Sequence, residues 1–281
     1  MVEDESKNLE LWDKVVKSIE EPPNHKKIWN MNDNCKLALV IIEPRKHEWL
    51  KGVLYNFAHI YGGRDDTSLY IFHGNENKQF VLDILKGWDM VSMIHMNVSN
   101  LSIFDYNKYI TSVNFWNNIK AEYALIFQTD TLLRKEIEPV FFKYDYVGSP
   151  WYKYYTQKSK LIGNGGLSLR NVKIMKYICS LSKYLDIITI NDKVYYSENL
   201  MDEHPTNEDV YFSERLLDES IPSVEDAMKF SVESIFYEYP CGMHKTYKFV
   251  TTSQLVNLLI DLPGLNTDTN NLLKSMNFLT T

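Results

Sequence analysis

Between residues 36 and 128 the apolar positions alternate between two rhythms. KLALVIIE (36–43), SLYIFHG (68–74), residues 89–96 and the run EYALIFQ (122–128) are almost continuously apolar and about as long as a strand buried on both faces. Between them the apolar period becomes that of a helix. Trp49, Leu50, Val53, Leu54, Phe57, Ala58 and Tyr61 make one face of a predicted helix over 47–61, ended by Gly62-Gly63. Phe80, Val81, Ile84 and Leu85 do the same over 76–86, with Gly87 as the stop, and a third helix is predicted from Asp105 to Asn118. Strands alternating with helices in this way predict an α/β fold, a mostly parallel sheet joined by right-handed crossovers.

Outside that stretch the texture is less regular. Leu9, Trp12, Val15, Val16 and Ile19 predict a helix over 6–20, ended by Glu21-Pro22-Pro23. After Asp130 come a short apolar helix or turn at 136–143, YDYVGSPW (144–151), a polar Lys/Tyr loop at 152–160 and IGNGGLSLR (162–170). Asn171 can cap a helix reaching about Leu185. Residues 186–205 are polar and are expected to form a mobile loop, and Thr206-Asn207-Glu208-Asp209 starts a helix to about Leu217. A strand-like stretch at 230–240 leads to PCGMHK (240–245), and helices are expected near 253–261 and 270–278. The chain thus divides into an N-terminal helical arm (1–35), one large α/β domain (36–250) and a C-terminal helical appendage (251–281), without repeats.

Composition narrows the function classes. With 281 residues, 44% of them hydrophobic and 14% aromatic, the chain is long enough and apolar enough for a well-packed core. A net charge of −7 with no Lys/Arg stripe argues against a nucleic-acid partner, since phosphate would be repelled overall. Cys35, Cys179 and Cys241 are odd in number and widely spaced, which fits neither a disulfide framework nor a thiolate zinc site and implies a reducing compartment. The acidic start MVEDESKNLE is not followed by an apolar leader, and no apolar run is long enough to span a bilayer, so a cytoplasmic protein is expected. On that expectation the triplets Asn97-Val98-Ser99 and Asn100-Leu101-Ser102 are chance matches to a glycosylation signal.

The chemistry is concentrated at the ends of the predicted strands. Glu43-Pro44-Arg45, His73-Gly74 and Asp130 should gather along the C-terminal edge of a parallel sheet, where open α/β folds bind ligands. This half looks like a Rossmann-like nucleotide-binding unit, yet it has neither GxGxxG nor GxxxxGK[ST], so dinucleotide oxidoreductases and P-loop enzymes lose support. Four further segments stand out: QTD (128–130), GNGG (163–166), NED (207–209) and GMHK (242–245). In this order and spacing they resemble the GT-A type nucleotide-sugar glycosyltransferases, over roughly residues 36–248.

The resemblance implies a GT-A-like fold and transfer of a sugar from a nucleoside diphosphate, a UDP-sugar, to an acceptor hydroxyl with inversion. Asp130 and His244 then match the metal-holding positions, with Mn²⁺ or Mg²⁺ as the ion. Gln128 stands where these enzymes usually carry the first acid of an Asp-x-Asp, so Asp130 must depend on His244. Gly165 and Gly166 would line the sugar pocket, Lys245 would sit near the leaving diphosphate, and Arg45, His73 and Gln128 would contact the nucleotide. Asp209, with Glu208 as the second choice, matches the general base, and Trp151 is a candidate for stacking on the acceptor.

Elementary chemistry is consistent with these roles. The departing diphosphate gains negative charge in the transition state, and a divalent cation held by oxygen ligands, with imidazole acceptable to Mn²⁺, stabilises it. A base must lie within hydrogen-bond reach of the acceptor hydroxyl. Each segment also has a plainer reading. Asp130 can cap the turn after a strand, GNGG is a turn signal, and Thr206-x-x-Asp209 is a capping-box pattern with acids in the first helical turn. Two other functions stay open: a nucleotide-sugar or glycan-binding protein without catalysis, and a nucleotidyltransferase.

Overall fold

A computed structural model describes residues 5–32, 34–152, 160–181, 187–190, 193–196 and 207–278. The apolar runs of the first half are strands: β1 (Cys35–Ile42), β2 (Thr67–His73), β3 (Ser92–His95) and β4 (Ala121–Phe127). After them come β5 (Thr131–Leu133), β6 (Tyr146–Gly148) and β7 (Leu167–Asn171). The central sheet has the order β3-β2-β1-β4-β7-β6. Its first four strands are parallel, with Leu39 beside both Leu69 and Leu125, and β7 runs antiparallel to β4 and β6. The expected α/β fold with a mostly parallel sheet is therefore present, and it is compatible with a Rossmann-like fold.

Alternation along each strand sends successive side chains to opposite faces. On β1 and β4, Leu37, Leu39, Ile41, Tyr123, Leu125 and Phe127 enter one core, while Ala38, Val40, Ala124 and Ile126 enter the other. The first core is covered by α1 (Glu5–Lys17) and α2 (Leu50–Tyr61), and the Phe57 ring stacks on Phe127 with centroids 4.0 Å apart. Truncating such a buried ring costs about 3–5 kcal/mol. After α3 (Lys78–Ile84), the second core is covered by α4 (Ile103–Ile110), α5 (Val113–Asn117), α6 (Val172–Ser180) and α7 (Glu208–Arg215).

Several expectations are adjusted. The helix expected over 105–118 is two helices, because Ser112 caps a new one by accepting from Phe115 N at 3.2 Å. Asn171 does cap α6, accepting from Ile174 N, but α6 stops at Ser180. Within the stretch expected to be a mobile loop, β8 (Ile187–Ile190) and β9 (Lys193–Tyr196) pair as an antiparallel hairpin, and the rest of 186–205 lies outside the described residues. Most of the 152–160 loop and Thr206 also lie outside them. The strand expected over 230–240 shrinks to β10 (Ser231–Val232), preceded by the unpredicted helix α8 (Val224–Phe230), which Ser223 caps.

A second, smaller sheet joins β10, β11 (Gly242–His244) and β5. β11 runs antiparallel to β5 with His244 opposite Thr131, and β10 runs parallel to β11 with Val232 opposite Met243. The chain closes with α9 (Thr252–Leu259), started by a Thr251/Gln254 capping box, and α10 (Thr267–Phe278). The two ends of the chain meet: Asn8 Nδ2 donates to the Val250 carbonyl at 2.9 Å, and Thr269 Oγ1 lies 2.9 Å from Ser18 Oγ. Among the described residues no helix is long and apolar enough to cross a membrane.

Candidate active site

A cleft of about 660 Å³ opens at the C-terminal ends of β1 and β4, a volume suited to a small-molecule ligand. Arg45, Gln128, Asp130, Gly165, Gly166, Glu208, Asp209, His244 and Lys245 all line it. His73 does not. Its ring is buried, stacks on His95 at 5.2 Å, and holds its own neighbour's carbonyl, Gly74 O, at 2.9 Å. Trp151 does not line the cleft either, and its buried ring packs toward Gly163.

The small sheet builds the first wall. Where β4 ends, Gln128 N donates to Gly166 O at 3.1 Å, and Lys245 N donates to the Asp130 carbonyl at 2.9 Å. Pairing of β11 with β5 then sets the His244 ring beside Asp130, with Nε2 3.2 Å from Asp130 Oδ1. The other ring nitrogen, Nδ1, lies 3.2 Å from Glu233 Oε1. Neither contact is aligned as a hydrogen bond, so both ring nitrogens are buried without a directional partner. Charge dominates instead. Burial alone would lower the His244 pKa, but the flanking carboxylates of Asp130 and Glu233 outweigh it and raise it to about 9. Burial alone would raise Asp130, but the imidazolium and Lys245 outweigh it and hold it down at about 2.

Glycine makes this wall possible. A Cβ on Gly166 would lie 2.2 Å from His244 Nε2 and Cε1, so the backbone at 166 occupies the space directly over the ring. Lys245, which follows, adopts a left-handed backbone with φ 54°, turning the chain out of β11.

The second wall is formed by α7 and β7. Arg170, wholly buried, donates through Nη1 to Glu208 Oε2 at 2.6 Å and through Nη2 to Glu208 Oε1 at 3.0 Å. A Cβ on Gly165 would lie 2.0 Å from Glu208 Oε1, so this glycine too makes room for the protein's own carboxylate. Asp209 is treated differently from Glu208. It accepts backbone N–H groups, from Gly165 at 3.3 Å and Val210 at 2.8 Å. Burial, followed by the negative charge of Glu208, pushes its pKa up to about 7.

Between the walls, Arg45 is held by Glu43, whose two carboxylate oxygens each accept at 2.8 Å from Nε and Nη2. His47, also at the cleft, is pushed down in pKa by burial. As for a cation, among the described residues no group of three or more His, Cys, Asp or Glu side chains is arranged to hold one. Asp130 Oδ1 and, once it has released its proton, His244 Nε2 could supply one oxygen and one nitrogen ligand, a pair suited to Mn²⁺ with substrate oxygens and water completing the shell, whereas Mg²⁺ would draw mainly on the oxygens.

Residues 91–244, more than half of the chain, match a family described as a protein of unknown function, DUF5672. The chain belongs to the DUF5672 family. No curated protein matches it. The DUF5672 segment contains Gln128, Asp130, Gly165, Gly166, Glu208, Asp209 and His244, while Arg45, His73 and Lys245 lie outside it.

Two residues of this DUF5672 site escape a reading of the sequence alone. Arg170 left one signal, since in LSLR it shares with Ser168 the strand face opposite Leu167 and Leu169, and a buried strand tolerates arginine only with a partner. Glu233 left none. It follows a two-residue strand, and only the pairing of β10 with β11 brings it to His244.

Proposed function

We propose that this protein is a glycosyltransferase of the GT-A type, moving a sugar from a nucleoside diphosphate donor, a UDP-sugar, to an acceptor hydroxyl. The observation that carries the reading is one cleft lined both by a low-pKa carboxylate paired with a buried imidazole, Asp130 with His244, and by a carboxylate poised near neutrality, Asp209. These are the two provisions a sugar transfer needs: a place to neutralise diphosphate and a group to take a proton. The order of QTD, GNGG, NED and GMHK along the chain supports it independently.

In this reading Asp130 Oδ1 and His244 Nε2 would hold Mn²⁺ or Mg²⁺, the ring giving up its Nε2 proton to do so, with Glu233 orienting the ring through Nδ1. The cation supplies charge neutralisation for the diphosphate. Lys245 and Arg45 add positive charge at the same end of the cleft. Asp209 accepts the acceptor's proton as its oxygen bonds to the anomeric carbon, and the bond from that carbon to the phosphate oxygen breaks with both electrons leaving on the nucleoside diphosphate. Attack from the face opposite the leaving group inverts the centre. Glu208, tied to Arg170, is a supporting group rather than the base.

A screen of nucleotide-sugars for turnover, with and without Mn²⁺, tests the proposal. Turnover of a UDP-sugar that depends on the metal is expected, whereas neither turnover nor nucleotide binding across the common donors would overturn it. One observation favours a second reading, a nucleotide-sugar-binding protein without catalysis: Gln128 stands where a further metal carboxylate would be expected. UDP binding with no turnover would select it.

A further inference from the structure

The second wall holds more structure than a general base alone requires. Arg170 is an arginine with no exposed surface, set on a strand of the central sheet, its guanidinium over the rings of Tyr146 at 4.8 Å and Phe212 at 5.4 Å. Its Nε donates to Ser168 Oγ at 2.9 Å, and its other two nitrogens take both oxygens of Glu208. Asp209, the next residue along α7, is served by backbone N–H groups instead. Gly165 links the two, since its N–H reaches Asp209 while its Cα hydrogens face the Glu208 carboxylate and Arg170 Nη2.

We propose that Arg170 is a positioning residue for Asp209: by engaging both oxygens of Glu208 it withdraws that carboxylate from proton exchange and leaves Asp209 as the member of the pair that takes and releases a proton in the cleft. This rests on the reading of Asp209 as the base. Two adjacent buried carboxylates would otherwise share one proton between them, and neither would have a defined role. A bidentate guanidinium breaks that symmetry. Among the described residues, the charged or titratable groups facing Asp209 are Glu208 on its own helix, Arg170 from β7, Tyr106 from α4 and Tyr146 from β6. Burial pushes both phenols up, so they remain neutral, and the balance at Asp209 is set by Glu208 and Arg170.

The test is a ¹³C NMR titration of the full chain carrying carboxyl-labelled aspartate, with the Asp209 signal assigned by its loss in Asp209→Asn. In Glu208→Gln the guanidinium loses its counter-charge, so the Asp209 midpoint should fall by about one pH unit or more. In Arg170→Gln, Glu208 is left uncompensated and the midpoint should rise by a similar amount. The double variant should return to within about half a unit of the wild-type midpoint. A merely structural role for the pair predicts lower melting temperatures with the midpoint unmoved in both single variants, and that result would overturn the proposal. If Arg170→Gln does not fold, the direction of the Glu208→Gln shift alone decides: a fall supports the proposal, and no shift or a rise overturns it. Because the titration needs no substrate, a protein that titrates as stated but turns over no donor would count against the transferase and not against this role of Arg170.

Discussion

Two aspartates share one cleft and are held in opposite states. Asp130 lies against an imidazole kept positive by carboxylates on both sides, and its pKa is held at about 2. Asp209 lies beside a second carboxylate that is itself paired with Arg170, and burial together with the charge of Glu208 pushes its pKa up to about 7. The difference is not intrinsic to the residues, since burial pushes both carboxylates upward. It comes from which partner each backbone pairing brings close: β11 on β5 delivers a cation to Asp130, and the first turn of α7 delivers an anion to Asp209. Environments that drive like groups apart in this way suit the division of labour that the proposed transfer would use, one wall to fix charge and the other to handle a proton.

Asp209→Asn should separate the walls most sharply. Donor turnover is expected to fall by about 10²–10⁴-fold, the usual contribution of a general base, while UDP binding persists. In the wild type, kcat/KM should climb with pH through an acid limb near 7, because the base works deprotonated and its pKa is raised from 3.8 to about 7. Stability should run the other way. The folded state keeps a proton that the unfolded chain has released between about pH 4 and 7, so wild-type stability falls as pH rises through that window, and the Asn variant should lack the slope. A transferase with wild-type rates in Asp209→Asn would move the base elsewhere.

Asp130→Asn should act on the other wall. Mn²⁺ affinity, followed by EPR or calorimetry, should drop at least about 100-fold, and in Glu233→Gln, where the carboxylate beside the far ring nitrogen is lost, by about 10-fold. Equal losses would mean that Glu233 is a ligand rather than an orienting group. Gly166→Ala probes the same wall sterically. Its Cβ would arrive 2.2 Å from the His244 ring, and overpacking of this kind costs about 1–3 kcal/mol, so a lower melting temperature and weaker Mn²⁺ binding should appear together.

How much of this could be read beforehand follows from the range of the interactions involved. β1, β2 and β4 are legible because strands buried on both faces must be apolar throughout, and their periodicity is a local property. The small sheet is illegible because β10 and β11 have two and three residues, too few for a pattern, and exist through pairing with partners far away in the chain. That sheet nonetheless sets His244 and Glu233 in place. Gly165 and Gly166 read as room for a ligand, whereas the space they leave is filled by Glu208 and His244. His73 reads as a crevice residue from its place at a strand end, but stacking on His95 and a bond to Gly74 O turn it away. Chemistry at strand ends is thus legible as a set of candidates, and the pairing that selects among them is not.

The smallest effect is expected at Arg45, and it tests whether the charge-fixing wall extends across the cleft. Its guanidinium is already committed, with Nε and Nη2 on the two oxygens of Glu43, and its side chain is about half exposed. Its positive charge still reaches Asp130, and would reach a diphosphate bound there. A solvated charge acting at a distance contributes up to about 1 kcal/mol and is screened by salt. Arg45→Ala should therefore raise donor KM by about three- to tenfold at low ionic strength, less at high, with kcat unchanged. Arg45→Lys keeps the charge and loses the fork, so it should recover most of the loss if charge alone matters. A loss in Arg45→Ala as large as that of Asp130→Asn, insensitive to salt and not recovered by lysine, would make the Glu43–Arg45 pair a direct ligand clamp, and the contrast between the two aspartates would then describe only part of the site.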